Sequence, residues 1–266
     1  MDRPAFSVRL RLLSAGEGGR HSPIRSNYRP TFDIANTLGG QPMLNDGRLM
    51  LAVEELAPGA ECLATLEPLR PEYWDGVRVG TAVPITEGTR IVGYATVTER
   101  VWPAAFTPAT ATFVRAAYDL CQFVTKAGAL ALRERLHRAR AVLLPLYAAA
   151  TELPRSETGT ESVAPSFPVP ETWPGFAEHD DYWEVFNPYE HAKPVAGWLS
   201  DDVLDVYRDV RSGLWFWEKN AIADAVWEWR FSFESHWGDH AIDALRALHR
   251  ACGRAVPENS GSAPFR

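Results

Sequence analysis

The sequence predicts a two-domain protein in which an antiparallel β-barrel precedes an α-helical domain. Apolar and polar residues alternate through much of the first hundred residues, which is typical of strands with one buried face. After Trp102 and Pro103, apolar residues recur at helical spacing instead. The ten tryptophans are also unevenly distributed, because eight of them lie in the segment from Trp173 to Trp237. We therefore predict one domain over residues 1–103 and a second over 104–266.

Five segments of the first domain have the period of two expected for strands, and glycine-rich or Asn-Asp-Gly turns lie between them. Short antiparallel strands at this spacing favour a closed barrel, because closure removes the exposed sheet edges. The predicted strands are Phe6–Leu12, 48–53, 61–66, 77–79 and 90–97.

The second domain is predicted to be a helical bundle, interrupted by a Pro-, Ser- and Thr-rich surface loop at 154–172. Pro145 is expected to kink or divide the helix that contains it. Ser200, which precedes two aspartates, is the expected N-cap of its helix, and Gly253 is the expected stop of the last one. The predicted helices cover 110–126, 129–152, 200–217, 221–233 and 241–252, and residues 258–266 are predicted to form a frayed tail.

Composition excludes several classes of function. With 27 basic and 34 acidic residues the chain has a net charge of −7, which argues against binding duplex DNA through its overall field. Three cysteines without a CxxC pair exclude a disulfide scaffold and a cysteine zinc site. No apolar run approaches the ~20 residues of a membrane span, and no secretory signal is recognisable. We expect a cytoplasmic protein without a cofactor.

Two motifs in the first domain are more specific than a strand pattern. The segment Gly18–Pro23 (GGRHSP) is followed by 27–32 (NYRPTF), and 85–93 reads ITEGTRIVG. Together they resemble the C-terminal barrel domain of bacterial elongation factor Tu, where GGRHTPF leads into YRPQF and IREGGRTVG forms a later hairpin. The resemblance covers about residues 5–100 and implies a barrel of six antiparallel strands.

The same resemblance implies a binding surface. In that family the barrel contacts the T stem of aminoacyl-tRNA, and the matching positions here are His21, Arg29, Arg70 and Gly88. Arg and His side chains can donate to phosphate oxygens, and a glycine turn allows the backbone to approach a sugar closely. The expected partner is tRNA or a protein of the translation machinery.

Nothing in the sequence indicates a GTPase or another enzyme. The phosphate-binding pattern GxxxxGK[ST] does not occur, so we expect no GTP binding. No serine or cysteine has a recognisable catalytic base, and Cys121 is predicted to be buried and inert. The helical half is similar to an uncharacterised group of bacterial helical domains, which share the segments found here at 182–188 (YWEVFNP), 201–202 and 236–240 (HWGDH).

An alternative function is metal binding in the helical half. His236 and His240 are four residues apart, so on a helix both can face one ion, with Asp239 as a further candidate ligand. The motif lacks the glutamate of His-Glu-x-x-His, and a helix-entry turn with hydrogen-bonded histidines is the alternative interpretation. His179-Asp180-Asp181 is either a carboxylate pair for acid–base chemistry or a solvated loop. The Trp-rich segment is either a stacking platform or, as we expect, part of the core.

These observations favour a non-enzymatic binding or regulatory protein, related to translation through its barrel. The alternatives are a metal-binding or enzymatic helical domain centred on His236, Asp239 and His240, and a protein-interaction module of the defence or immunity type.

Overall fold

The computed structural model describes residues 3–159, 161–185, 187–191 and 193–253. The chain divides into two compact units, Met1–Ala111 and Thr112–Arg266. The division falls in the first turn of helix α1 (Pro108–Lys126), beyond the predicted boundary at 103. The first unit is a β-barrel and the second is largely helical, so the predicted fold class is confirmed.

Six strands of the first unit form a closed antiparallel barrel in the order β1-β6-β4-β3-β7-β8. A separate pair, β2 with β5, is also antiparallel. The strands are β1 (Ala5–Leu12), β2 (Ile24–Arg25), β3 (Thr31–Leu38), β4 (Gln41–Leu51), β5 (Glu55–Leu56), β6 (Glu61–Pro68), β7 (Ala82–Glu87) and β8 (Arg90–Val101).

Alternating side chains of these strands fill the barrel interior. Phe6, Val8, Leu10 and Leu12 of β1 are all buried, as the period of two predicts. Trp74, from the connection before β7, is fully buried among them. Its ring lies 5.9 Å from that of Phe6 and 5.4 Å from that of Phe32, so aromatic packing closes the barrel core.

The predicted strand at 77–79 is wrong. Val77 is buried, but its N–H donates to the carbonyl of Trp74, and Thr81 N–H donates to the carbonyl of Arg78. Backbone groups used in local turns are not available to a strand ladder. The alternation of apolar and polar residues also failed to predict β3, and it did not identify β7 as a strand distinct from the neighbouring turns.

The second unit contains five α-helices and one two-stranded sheet among its described residues. The sheet pairs β9 (Asp181–Glu184) with β10 (Val195–Trp198). Trp229 and Trp237 are fully buried in the helical core, so the expected core role of these two tryptophans is confirmed. The helices are α1, α2 (Leu132–Thr151), α3 (Leu199–Glu218), α4 (Ile222–Ser232) and α5 (Gly238–Gly253).

Helix α2 is not divided at Pro145. Val142, Leu143 and Leu146 on both sides of the proline are buried, and their burial offsets the roughly 3 kcal/mol that an internal proline costs. The predicted start of α3 is wrong. Helix α3 begins at Leu199 with Trp198 as its N-cap residue, so Ser200 lies inside the first turn. Gly253 does end α5, as predicted.

Helices α4 and α5 are joined by a single π-helical turn, Phe233–Trp237. Gly238 N–H donates to the carbonyl of Phe233, five residues earlier, which is the π hydrogen-bond spacing. The two segments predicted as separate helices therefore form one continuous helical run. A π turn inserts an extra residue and changes which side chains of the following turn share a face.

The loop at 154–172 has no helix or strand in its described residues, as predicted. The Asp224 carboxylate of α4 accepts hydrogen bonds from Thr158 Oγ1 at 2.9 Å and Gly159 N–H at 2.7 Å, which fixes the first part of the loop. None of the helices in the described part of the chain is both long and apolar enough to cross a membrane. The predicted tail at 258–266, like Phe186 of the YWEVFNP segment, lies outside the described residues.

Candidate functional site: a histidine–carboxylate cluster in the helical unit

Three aspartates lie on one face of α3. Asp202, Asp205 and Asp209 are spaced three and four residues apart, the spacing that places side chains on the same side of a helix. Asp202 is buried, whereas Asp205 and Asp209 are half-buried. A buried carboxylate requires hydrogen-bond donors or a cation, and the facing helical run supplies donors.

The facing residues are His236 in the π turn and His240 in the first turn of α5. Their rings lie 4.8 Å apart between centroids. The α3 helix packs against both the π turn and α5, which places the histidines opposite the aspartates. Both rings remain accessible to solvent, with 50 % of the His236 side chain and 33 % of that of His240 exposed.

Each histidine uses its Nδ1 atom to contact a different aspartate. His240 Nδ1 lies 2.8 Å from Asp202 Oδ1, and His236 Nδ1 lies 2.8 Å from Asp209 Oδ2. Because an ionised carboxylate only accepts hydrogen bonds, each Nδ1 carries a hydrogen and each Nε2 of the neutral ring keeps its lone pair. Carboxylates that orient histidines in this way are typical of the outer shell of metal sites.

The remaining aspartate, Asp205, lies close to both histidines. One ligand atom each from Asp205, His236 and His240 lie within 4.8 Å of one another. Asp205 Oδ2 is 3.8 Å from His240 Nε2, while its Oδ1 accepts a hydrogen bond from Arg208 Nη1 at 2.5 Å. The ion pair with Arg208 thus leaves Oδ2 free to face His240.

The surroundings of this histidine–carboxylate cluster are strongly acidic. The hydrogen bond to Asp202 raises the pKa of His240, against the opposing effect of burial. Burial and then the charge of Glu184 raise the pKa of Asp243. Glu228 shows the same tendency, because burial and then Asp209 raise its pKa. Negative charge concentrated in this way favours a cation.

Strand β9 contributes a tyrosine to the outer part of the cluster. The hydroxyl of Tyr182 lies 2.5 Å from Asp202 Oδ2 and 2.7 Å from Glu184 Oε2. Both oxygens of Asp202 are therefore used, one by His240 and one by Tyr182. Burial and these two carboxylates raise the pKa of Tyr182 far above its usual range, so the phenol stays protonated.

The structure brings together two of the three residues that the sequence nominated for metal binding. Asp239 is exposed and is not part of the cluster; Asp205 occupies the place expected for it. Sequence reasoning missed Asp205 because α3 is about thirty residues earlier in the chain. The signal was present, since acids at 202, 205 and 209 are three and four residues apart and so share one face of a helix.

Comparison with known proteins locates the cluster in one matched region. A family model described as "Domain of unknown function (DUF5063)" matches residues 174–252. That range contains Asp205, His236 and His240 and also the residues that bond them or each other: Tyr182, Glu184, Asp202 and Asp209. Among solved structures, the chain is similar to the crystal structure of protein BF1032 from Bacteroides fragilis. The two are 21 % identical over 56 % of this chain and 94 % of that one, with a TM-score of 0.45.

In the barrel, His21, Arg29 and Gly88, three of the four residues expected to contact RNA, lie on segments that contact each other. Residues next to them in the sequence are hydrogen-bonded: Tyr28 donates to Glu87 Oε1 at 2.7 Å, and Arg20 forms an ion pair with Glu87. These bonds draw together the segments that carry His21, Arg29 and Gly88, all of which are exposed.

The fourth expected residue, Arg70, contacts other groups. It pairs with Glu72, and its guanidinium lies 5.4 Å from the centre of the Tyr73 ring. Most arginines of the barrel are likewise paired with carboxylates, as Arg25 is with Glu55 and Arg48 with Glu67. Such pairing lowers the positive field available to a phosphate backbone.

The motif His179-Asp180-Asp181 has a structural role at Asp180. This carboxylate accepts hydrogen bonds from Ser200 N–H at 2.8 Å, Ser200 Oγ at 3.0 Å and Phe176 N–H at 3.2 Å. It therefore caps the N-terminus of α3 from outside the helix, a role that the sequence analysis assigned to Ser200.

Proposed function

We propose that the helical unit binds a divalent transition-metal ion through Asp205, His236 and His240. The observation that supports the proposal is that each histidine uses Nδ1 to bond an aspartate and keeps Nε2 for another ligand. Asp202 and Asp209 engage Nδ1, so both Nε2 atoms remain available; that of His240 lies 3.8 Å from Asp205 Oδ2, and a ligand atom of His236 lies within 4.8 Å of both residues. Imidazole and carboxylate ligands together suit zinc and its neighbours in the first transition row.

The ligand atoms are close enough for small side-chain movements to complete the site. A tetrahedral zinc ion with bonds of about 2.1 Å holds its ligand atoms roughly 3.4 Å apart. The present separations reach 4.8 Å, so a closure of up to about 1.4 Å is needed. Rotation of the partly exposed histidine rings can supply it. Three protein ligands leave a further coordination position for water or a bound molecule.

The test is a Zn²⁺ titration of the purified, chelator-treated protein with a competing chromophoric chelator. The expected result is one ion per chain, with affinity lowered at least 100-fold in Asp205→Ala, His236→Ala and His240→Ala. Asp239→Ala and His249→Ala are the matched controls, because both change exposed residues of α5 outside the cluster; neither should change the affinity. Equal binding by the ligand variants and the controls would reject the proposal.

A second candidate function is contact of the barrel with an RNA phosphate backbone. It is favoured by Arg29 and His21, which are exposed and make no ion pair among the described residues, in contrast to most barrel arginines. Labelled tRNA should bind weakly at low salt and dissociate as salt rises. Arg29→Ala should weaken that binding and Arg25→Ala, at a residue paired with Glu55, should have a smaller effect. No binding at high micromolar protein, or binding unaffected by Arg29→Ala, would reject this function.

A further inference from the structure

We infer that the β9–β10 hairpin sets the metal affinity of the helical unit, with Tyr182 as the positioning residue. This inference rests on the proposed metal site and adds a second element that controls it. Among the described residues, the hydroxyl of Tyr182 bonds Asp202 and Glu184 rather than any of the three ligands. It acts through Asp202, which holds the ring of His240.

The carboxylate of Asp202 is buried and is held by two hydrogen bonds. Its side chain is only 7 % exposed, and its two oxygens have one side-chain partner each: His240 Nδ1 at 2.8 Å and the Tyr182 hydroxyl at 2.5 Å. Loss of the hydroxyl leaves a buried carboxylate oxygen without this donor, which favours rotation of the carboxylate toward other groups. Such a rotation releases His240 from the orientation in which Nε2 faces Asp205.

The phenol of Tyr182 has a single hydrogen to donate. The Tyr182 oxygen lies within hydrogen-bonding distance of two carboxylates, Asp202 and Glu184, but it can donate to only one. When it donates to Asp202, its lone pairs face Glu184. A donor at position 184 therefore fits this geometry, and Glu184→Gln, whose amide can donate to the phenol oxygen, should preserve the hydrogen bond to Asp202.

Strand β10 leaves room for the ring of Tyr182 at Gly197. Gly197 is paired with Tyr182 in the antiparallel register, so the two residues share a face of the hairpin. A Cβ at Gly197 would lie 2.8 Å from Tyr182 Cζ and 2.9 Å from Glu184 Oε2. Both distances are shorter than normal van der Waals contact. Gly197→Ala should therefore displace the phenol without removing any hydrogen-bonding group.

The hairpin is also fixed to the helix that carries Asp202. Helix α3 begins at Leu199, directly after the last residue of β10. Leu199 N–H donates to the carbonyl of Asp180, and the Asp180 carboxylate accepts from Ser200. The strand that carries Tyr182 and the first turn of α3 thus form one hydrogen-bonded assembly.

The experiment measures Zn²⁺ affinity by chelator competition, and the stability of the metal-free protein, in four full-length variants. Tyr182→Phe and Gly197→Ala should each weaken Zn²⁺ binding by about 10- to 100-fold, the range found for outer-shell changes. Glu184→Gln removes one nearby negative charge but keeps the hydrogen bond of Tyr182 to Asp202, so it should weaken binding less than Tyr182→Phe does. Tyr189→Phe, at a tyrosine that is 96 % exposed, is the control and should not differ. Visible spectra of the Co²⁺ forms should change in the first two variants only.

The outcomes separate this inference from the proposed function. If the parent binds Zn²⁺ and the Asp205, His236 and His240 variants do not, the metal site stands. Unchanged affinity in both Tyr182→Phe and Gly197→Ala would then overturn the role of the hairpin alone. If Tyr182→Phe fails to fold, Gly197→Ala decides the question. A parent that does not bind Zn²⁺ rejects the proposed function itself.

Discussion

Gly213 of α3 lies directly against the indole of Trp229 in α4. A Cβ at position 213 would be 2.1 Å from Trp229 Nε1, and that nitrogen donates to the carbonyl of Val210 at 2.9 Å. Glycine in the middle of a helix is unfavourable by roughly 1 kcal/mol relative to alanine. Its presence here is explained by close packing of the two helices, because only a residue without a side chain leaves room for the indole.

Gly213→Ala is therefore expected to destabilise the protein although alanine favours helix. The added methyl group must displace Trp229 and break its hydrogen bond, and overpacking of this kind lowers the free energy of unfolding by about 2–3 kcal/mol. Urea denaturation followed by tryptophan fluorescence measures the change. Gly253→Ala is the matched control, since no atom of the described residues lies within 4 Å of a Cβ there. Equal stability of the two variants would contradict the packing argument.

A second prediction concerns the reactivity of the cysteines. Burial raises the pKa of Cys121 to about 12, so at pH 8 only about one thiol in 10⁴ is in the reactive thiolate form. Burial also raises the pKa of Cys62, to a smaller extent. We expect iodoacetamide at pH 8 to leave Cys121 unmodified in the native protein and to modify it in guanidinium chloride. Peptide mass spectrometry measures both, and rapid native labelling of Cys121 would contradict the prediction.

A third prediction concerns pH dependence in the barrel. Three hydrogen bonds lower the pKa of Glu17 to about 2, the largest effect coming from the Ser14 backbone N–H, followed by the Arg11 guanidinium and the Ser14 hydroxyl. The folded pKa is below the unfolded one, so the stabilisation is complete above about pH 4.5 and is lost as pH falls toward 2.

Glu17→Gln should accordingly lower the Tm at pH 7 and have a smaller effect at pH 2.5. Thermal melts of the parent and the variant at both pH values measure the difference. Glu54→Gln, which changes an exposed glutamate in the turn before β5, is the control for general charge effects. A Glu17→Gln difference that stays constant between the two pH values would show that the carboxylate is not the stabilising group.

A fourth prediction follows from linkage between metal binding and folding. An ion that binds the folded protein at 100 times its Kd adds about 2.7 kcal/mol to the free energy of unfolding. For a protein of this size, that gain raises the Tm by about 5–10 °C. Differential scanning calorimetry with Zn²⁺ and then with excess EDTA tests this, and Asp205→Ala should show no such shift.

The sequence by itself determined the classes of structure in each half. In β1 and in the helices after Trp102, one side of the strand or helix is buried. The spacing of apolar residues in the sequence shows this directly, as a period of two or a helical period. Strand β3 and the loop at 77–79 could not be assigned in the same way. Their conformation depends on whether backbone N–H groups find partners across the barrel or within a turn, and those partners are distant in sequence.

The tertiary structure alone decided the composition of the candidate site. The spacing of His236 and His240 was visible in the sequence, but the third ligand was expected at Asp239, four residues or fewer from both. Packing of α3 against the π turn brought Asp205 there instead, and placed Asp202 and Asp209 on the two Nδ1 atoms. Asp239, next to His240 on the same helix, points elsewhere because adjacent residues on a helix lie about 100° apart around its axis. Sequence spacing fixes which residues of one helix share a face, whereas only the packing of helices against each other decides what that face meets.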